Sequence, residues 1–308
     1  MSPLATRYYG WLMADLSTLI GGLSFTESPR WHNHRLYVSD RFTRRVLAVA
    51  LDGKAETVAE PAGVPCGLGF LPDGRLLMTS MLDRRIVRRE RDGSLVEHAD
   101  LSSLAPWHLN DMLVDRDGSA WVGNFGFDLM GGAPARTTVL LCVLTDGTAH
   151  VVADELGFPN GMVLTPDGRT LIVAETTMNR ISAFDVRGGV LGERRTWAAF
   201  GEPPLTTSVP EILQQAAVVP DGICLDAEGA IWVADVFNRR VIRVLEGGTI
   251  VDEQKTGDVH PFACMLGGEH GRTLFVCTAP TFDEQEASAK HLASIQMTEV
   301  KVPHGGLP

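Results

Sequence analysis

Short runs of alternating apolar and polar residues recur along this chain, each entered through a tight turn. His34-Arg35 precedes Leu36-Tyr37-Val38-Ser39-Asp40, Pro72-Asp73-Gly74 precedes residues 76–80, and Arg116-Asp117-Gly118 precedes 120–124. Pro166-Asp167-Gly168, Ala227-Glu228-Gly229 and Glu269-His270-Gly271 open the runs at 171–175, 231–235 and 274–278. A period of two bounded by Asp-Gly-type turns is a hairpin pattern, because glycine accepts the positive φ that such turns demand. Behind the hairpins come further runs at residues 45–49, 85–88, 180–184 and 240–244, usually followed by another Gly turn and a fourth strand. Units of four short antiparallel strands, repeating every ~40–60 residues, are propeller blades. The pattern predicts an all-β, six-bladed β-propeller over residues 1–308, with blades starting near 27, 66, 110, 160, 221 and 262. Helical periodicity is confined to 210–215, and six in-phase copies disfavour a twisted sandwich.

The last unit lacks a fourth strand after residues 291–300. Residues 11–19 read as a strand and are expected to supply it, latching the ring with an N-terminal outer strand so that no open edge remains.

A tight segment precedes the innermost strand of each unit and aligns across the copies: Val64-Pro65-Cys66-Gly67, Phe158-Pro159-Asn160-Gly161, Val219-Pro220-Asp221-Gly222 and His260-Pro261-Phe262-Ala263, with Glu27-Ser28-Pro29 and Asn110-Asp111-Met112 in the same place. Inner strands converge on the axis, so Glu27, Cys66, Asn110, Asn160, Asp221 and Phe262 are expected to ring one end of the channel. Four of these six carry side-chain oxygens. Burying two carboxylates and two amides together is costly without a compensating charge, which points to a cation. Oxygen ligands select hard ions, so Ca²⁺ leads, with Mg²⁺ and Mn²⁺ behind it and Zn²⁺ as a substitute. The competing account treats Asn-Gly and Asp-Gly as turn formers only. It accounts neither for Glu27 at the equivalent position nor for the exclusion of Lys and Arg from all six.

The three longest irregular segments, 125–136, 202–219 and 279–290, connect strands at this same end and are expected to overhang the ring. Asp40, Asn124, Glu175 and Asp235 end the second strands and are expected to hydrogen-bond the rim rather than touch a ligand.

Composition narrows the partners. With 44% apolar and 21% charged residues, the chain can fill a large core. A net charge of −11 and the lack of a basic cluster disfavour nucleic acid and anionic membranes, and no obligate protein partner is evident. Five dispersed cysteines without a CxxC pair fit buried, reduced thiols, and the apolar stretch 8–14 is too short for a signal core; both lead to the expectation of a cytoplasmic protein.

Glu27-Ser28-Pro29-Arg30-Trp31, Asn110-Asp111, Phe158-Pro159-Asn160-Gly161 and Val219-Pro220-Asp221-Gly222 together resemble the senescence marker protein 30, gluconolactonase and luciferin-regenerating enzyme family, over nearly the whole chain from about Leu19. The resemblance implies one axial divalent cation, commonly Ca²⁺, held by the residues matching Glu27, Asn160 and Asp221, with Asn110 as fourth ligand or substrate contact. It also implies hydrolysis of a small-molecule lactone, or of organophosphates as in some relatives. Sugar-lactone members often carry Arg two positions before the Asn, where this chain has His108. An imidazole binds hydroxyls less firmly than a guanidinium fork, so aldonolactone specificity is not implied.

The expected chemistry is carbonyl polarisation by the cation, with Asp221 as the base toward water. Direct nucleophilic attack by Asp221 is the variant. His108 and Asp128 are candidate substrate contacts beside Asn110, and His260 is expected to be structural. No Gly-x-Ser-x-Gly elbow exists, so a serine hydrolase is excluded. A phosphotriesterase on the same site, and a non-enzymatic ligand- or protein-binding propeller, are the alternatives.

Overall fold

Six antiparallel sheets stand around a common axis in a computed structural model that describes residues 15–308. Their inner strands are Thr26–His32, Pro65–Phe70, Leu109–Val114, Pro159–Leu164, Pro220–Leu225 and His260–Gly267. Each packs on the inner strands of both neighbouring blades, so the ring is complete. The blades alternate buried apolar side chains between sheets, with Trp121, Trp232 and Phe275 among the largest fully buried groups.

Closure runs through Ser17–Leu23, which pairs antiparallel with Ala293–Glu299 as the outer strand of blade six. The latch therefore begins later than the sequence pattern placed it. Asp15 and Leu16 are not in strand, and residues 11–14, like the whole apolar stretch 8–14, lie outside the described residues.

Three other local expectations change. The first hairpin turns at Asn33-His34, both at positive φ (47° and 62°), rather than at His34-Arg35. Blade four inserts a short strand, Val190–Leu191, before its fourth strand Arg195–Ala199. Besides helix α1 (Val209–Gln215), segment 279–290 contains a helix α2 (Glu284–Lys290), capped by Asp283, whose side chain accepts from Glu286 N at 2.8 Å.

All six inner strands carry a one-residue bulge beside the ring position. In blade one the pairing passes from Glu27–Ser39 to Arg30–Tyr37, and in blade five from Pro220–Asp235 to Ile223–Val233. Blades two, three, four and six repeat the shift. A bulge bends its strand and re-aims the side chain there, which here means toward the axis. The glycines after the ring residues sit inside strands at ordinary φ, not in turns. Their role is space: a Cβ on Gly161 would lie 2.5 Å from Ile223 N and 2.7 Å from Asp221 O, and one on Gly222 would lie 2.5 Å from Ala263 Cβ.

Behind the ring a buried ion pair ties blade one to blade three. Arg30 Nη2 meets Asp111 Oδ1 at 2.7 Å, Nε donates to Leu68 O, and Nη1 donates to Pro29 O. Ser28 Oγ donates to the same Asp111 oxygen at 2.7 Å, and Ser28 is held at a φ of 49°. At the far end of the channel the C-terminal tail bridges Leu307 to Leu164 and His304 to Asp226. No helix among the described residues is long and apolar enough to cross a membrane.

Replacing Asp111 with Ala leaves Arg30 buried without its counter-charge. The expected loss is about 3–5 kcal/mol of unfolding free energy, read from the urea midpoint at unchanged slope.

Candidate active site

Convergence of the inner strands leaves a cavity of about 110 Å³ on the axis, floored by Glu27, Asn110, Asn160 and Asp221. Phe262 joins its wall, while the sixth ring residue, Cys66, turns its thiol to Asn110 Oδ1 at 3.6 Å. The sequence-predicted oxygens thus reach one chamber, and all four of these side chains are buried.

The polar contacts of the floor are incomplete. Asn160 Nδ2 donates to Thr176 Oγ1 at 3.1 Å, and Thr176 donates to Pro220 O at 2.9 Å, which fixes the amide. Asp221 Oδ1 and Asn110 Nδ2 are buried without a partner. Rotating the Asn110 amide by half a turn offers an oxygen where that nitrogen stands. Burial pushes the Glu27 carboxyl up to about 8, against the pull of Arg41, and nearby Asp111 raises it further. Burial, followed by Glu27 and Asp111, also drives Asp221 well above the usual carboxylate range.

Two buried carboxylates, of which Glu27 raises Asp221, and an oxygen without a donor fit a hard divalent cation. Among the described residues no group of three or more His, Cys, Asp or Glu could hold a metal ion. The side-chain oxygens available at the floor are therefore those of two acids and two amides.

A second ring lies one residue beyond the strand ends that form the rim. Asp40 accepts from Ser24 N and Phe25 N, Glu175 from Gly157 N and Arg180, and Asp235 from Val219 N and Arg240; Asn124 bonds Val139 O and Thr138. The residues that follow these anchors, Arg41, Phe125, Thr176 and Val236, line the chamber. Sequence reasoning missed this ring, Arg41 above all. The signal was available: a cation directly after a strand that ends on the site face.

Positions two before the ring supply another layer, with Phe25, Phe158 and Val219 on the wall. His108 holds the same position but is not among the lining residues. Its ring packs against Trp107 and Phe125, at centroid distances of 4.9 and 6.2 Å, and Nδ1 has no partner. Burial lowers its pKa, which keeps the imidazole neutral at pH 7. Asp128 is likewise absent from the lining; its Oδ1 caps the loop by accepting from Gly131 N at 2.7 Å. His260 Nδ1 lies 2.9 Å from Val236 O.

The three long connections do overhang the chamber. Leu129 from the first, Leu213 on α1 and Phe282 before α2 also wall an outer space of about 820 Å³. The five cysteines are buried and free of disulfides, and Cys224 and Cys264 are 3.8 Å apart.

The sequence profile of the SMP-30/Gluconolactonase/LRE-like region matches residues 25–280, which span Glu27, Asn110, Asn160 and Asp221 and the chamber lining apart from Phe282. The chain belongs to that family. It is 28% identical to the pentonolactonase XacC of Haloferax volcanii over 257 residues, covering 82% of this chain and 81% of that protein. It is 25% identical to a 6-deoxy-6-sulfogluconolactonase of Pseudomonas putida, over 90% of this chain and 91% of the relative. A solved structure of a calcium-binding protein, regucalcin, from Agrobacterium tumefaciens superposes with a TM-score of 0.76 at 19% identity, covering 96% of this chain and 97% of that one. This last likeness confirms the propeller.

Two outcomes follow for the family member described here. Gly161→Ala forces a Cβ against the backbone that carries Asp221; it is expected to lower stability by about 1–3 kcal/mol and to disturb ligand binding at the floor, read by thermal melts with and without Ca²⁺. The Glu27 carboxyl has a raised folded pKa, so in cation-free protein its contribution to stability is full below 4.5 and is lost as pH rises through about 8. Asp221 adds in the same direction. The Tm of chelated protein should fall over that range, and the gain in Tm on adding Ca²⁺ should grow with pH, because binding displaces fewer protons.

Proposed function

We propose that this protein is a divalent-cation-dependent hydrolase that opens a small lactone at the floor of the axial chamber. One observation carries the reading: Glu27, Asp221, Asn110 and Asn160 converge on a buried chamber in which Asp221 Oδ1 has no hydrogen-bond donor. Membership of the family and the lactonase names of both relatives support the reaction class.

Glu27, Asn160 and Asp221 would hold the cation, with Asn110 as a fourth ligand or a contact to the substrate carbonyl. Ca²⁺ suits these oxygen donors best, ahead of Mg²⁺, Mn²⁺ or Zn²⁺, and the calcium-binding regucalcin of the same fold points the same way. When bound, such an ion draws charge from the carbonyl oxygen and stabilises the oxyanion that forms as water adds.

The remaining steps belong to the chain. Asp221 takes a proton from the attacking water and returns it to the departing ring oxygen. Its raised pKa without the ion, brought down by a neighbouring positive charge, places the carboxylate between a pure ligand and a strong base. Phe25, Phe125, Phe158 and Phe262 exclude bulk water and strengthen each charge contact at the floor. Asp128 caps the loop at 125–136 and His108 packs on Phe125, so both would shape the wall rather than touch substrate.

A panel of lactones assayed with chelator and again after Ca²⁺ is returned tests the reading, with a phosphotriester beside it to separate the neighbouring reaction class. Turnover should vanish with chelator and return with the ion; turnover that persists without any divalent ion would sink cation dependence. Asp221→Asn keeps one ligand oxygen but cannot accept a proton. Its kcat should fall by about 10²–10⁴-fold while Ca²⁺ still raises the Tm.

A further inference from the structure

Arg41 is 5% exposed and, among the described residues, is the one Lys or Arg side chain lining the axial chamber. Its backbone is fixed, with the N–H donating to Phe25 O at 2.9 Å. Its guanidinium carbon lies 5.1 Å from the Phe25 ring centroid and 5.5 Å from that of Phe42, which holds the side chain in one place. The donors themselves are poorly served. Nη2 reaches only Met81 Sδ at 3.0 Å, and Nε is buried without a partner. A thioether is a weak acceptor. Among the described residues Arg41 forms no ion pair within 4.0 Å.

Arg30 is the internal control. It is equally buried, yet three backbone oxygens and Asp111 satisfy it. An arginine of similar depth whose fork opens on a cavity is built for something that arrives. With a divalent ion held by Glu27 and Asp221, Arg41 would be left as an unmatched positive charge.

The rest of the chamber defines the body that must accompany the charge. Phe25, Phe125, Phe158, Val236 and Phe262 offer no hydrogen bonds from their side chains, and Leu213 and Phe282 continue the same surface outward. Of the two threonines in the lining, Thr176 Oγ1 is already committed between Asn160 and Pro220, which leaves Thr177, among the described residues, as the one other hydroxyl on the wall. A polyhydroxylated ring would leave hydroxyls unpaired against these walls.

We propose that Arg41 selects a lactone bearing a carboxylate on an otherwise apolar body, the planar anion pairing with the guanidinium fork while the ring lies on the acidic floor. The inference deepens the lactonase reading and rests on it for the word lactone. Paired donors of a guanidinium suit a carboxylate, for which lysine is a poor substitute.

The test uses a five-membered lactone with a carboxymethyl substituent, its carboxamide, and gluconolactone, all with Ca²⁺ present. The wild-type protein should favour the acid over the amide by at least about tenfold in kcat/KM, chiefly through KM, and should favour both over gluconolactone. Arg41→Met should bring the acid-to-amide ratio near one, and Arg41→Lys should keep only part of it. Calorimetric binding of the ring-opened hydroxy diacid, measured apart from turnover, should weaken in the same order. A wild-type ratio near one, preference for gluconolactone, or equal loss of kcat for acid and amide in Arg41→Met overturns the assignment. If no lactone turns over but the diacid still binds through Arg41, the lactonase reading falls and the anion site stands. If no lactone turns over and the diacid does not bind, both fall. Should Arg41→Met fail to fold, the wild-type comparison of acid with amide decides alone.

Discussion

The dominant constraint in this molecule is the distance between inner strands at the axis. Six blades can close only if their first strands approach until backbone meets backbone, and Gly67, Gly161 and Gly222 mark places where even a methyl group would collide with the next blade. The bulge in each of these strands is the other half of the same solution, because it turns the side chain before the glycine into the channel. Close approach and inward aim together concentrate acids that would repel in any looser ring. The site is thus a by-product of closing the circle, exploited by the choice of six residues.

Charge is layered along the axis as a result. Nearest the tail-covered end, Arg30 and Asp111 cancel within a saturated hydrogen-bond network, which makes that layer mechanical. Above it come Glu27 and Asp221, both raised by burial and by Asp111, with Glu27 also raising Asp221. Above those, Arg41 faces an apolar chamber with its Nε unused. Only the middle and upper layers have valences left over, so only they can respond to what enters.

The fold was legible because its signals are local and repeated: Asp-Gly turns, alternating runs and six copies in phase. The ring at Glu27, Asn110, Asn160 and Asp221 was legible for the same reason, since alignment of the copies places equivalent residues at equivalent radii. What escaped depends on contacts between copies. The glycines read as turn formers, yet their cause is the neighbouring blade. Arg41 occupies a position that is Phe125 or Thr176 in other blades, so repetition gave no reason to notice it. His108 lies at the right height, but Phe125 stands in front of it, which spacing along one strand cannot reveal. Helix α2 has an Asp283-to-Glu286 cap in the sequence, but Ala287 is its only buried residue, so no apolar face registers. The latch was placed early because apolar content extends ahead of the true pairing segment.

That latch also sets the order in which the molecule can be assembled. Ser17 Oγ reaches Met297 O across 280 residues of chain, whereas almost every other strand pairs with a neighbour in sequence. Five blades can form from local hairpins as they are made, but the sixth must wait for both distant segments and bear the full entropy of closing the longest loop. The inner strand of blade six packs on those of blades one and five, which carry Glu27 and Asp221. The candidate site therefore depends on the blade that closes last, and loosening of its outer strand would be felt there.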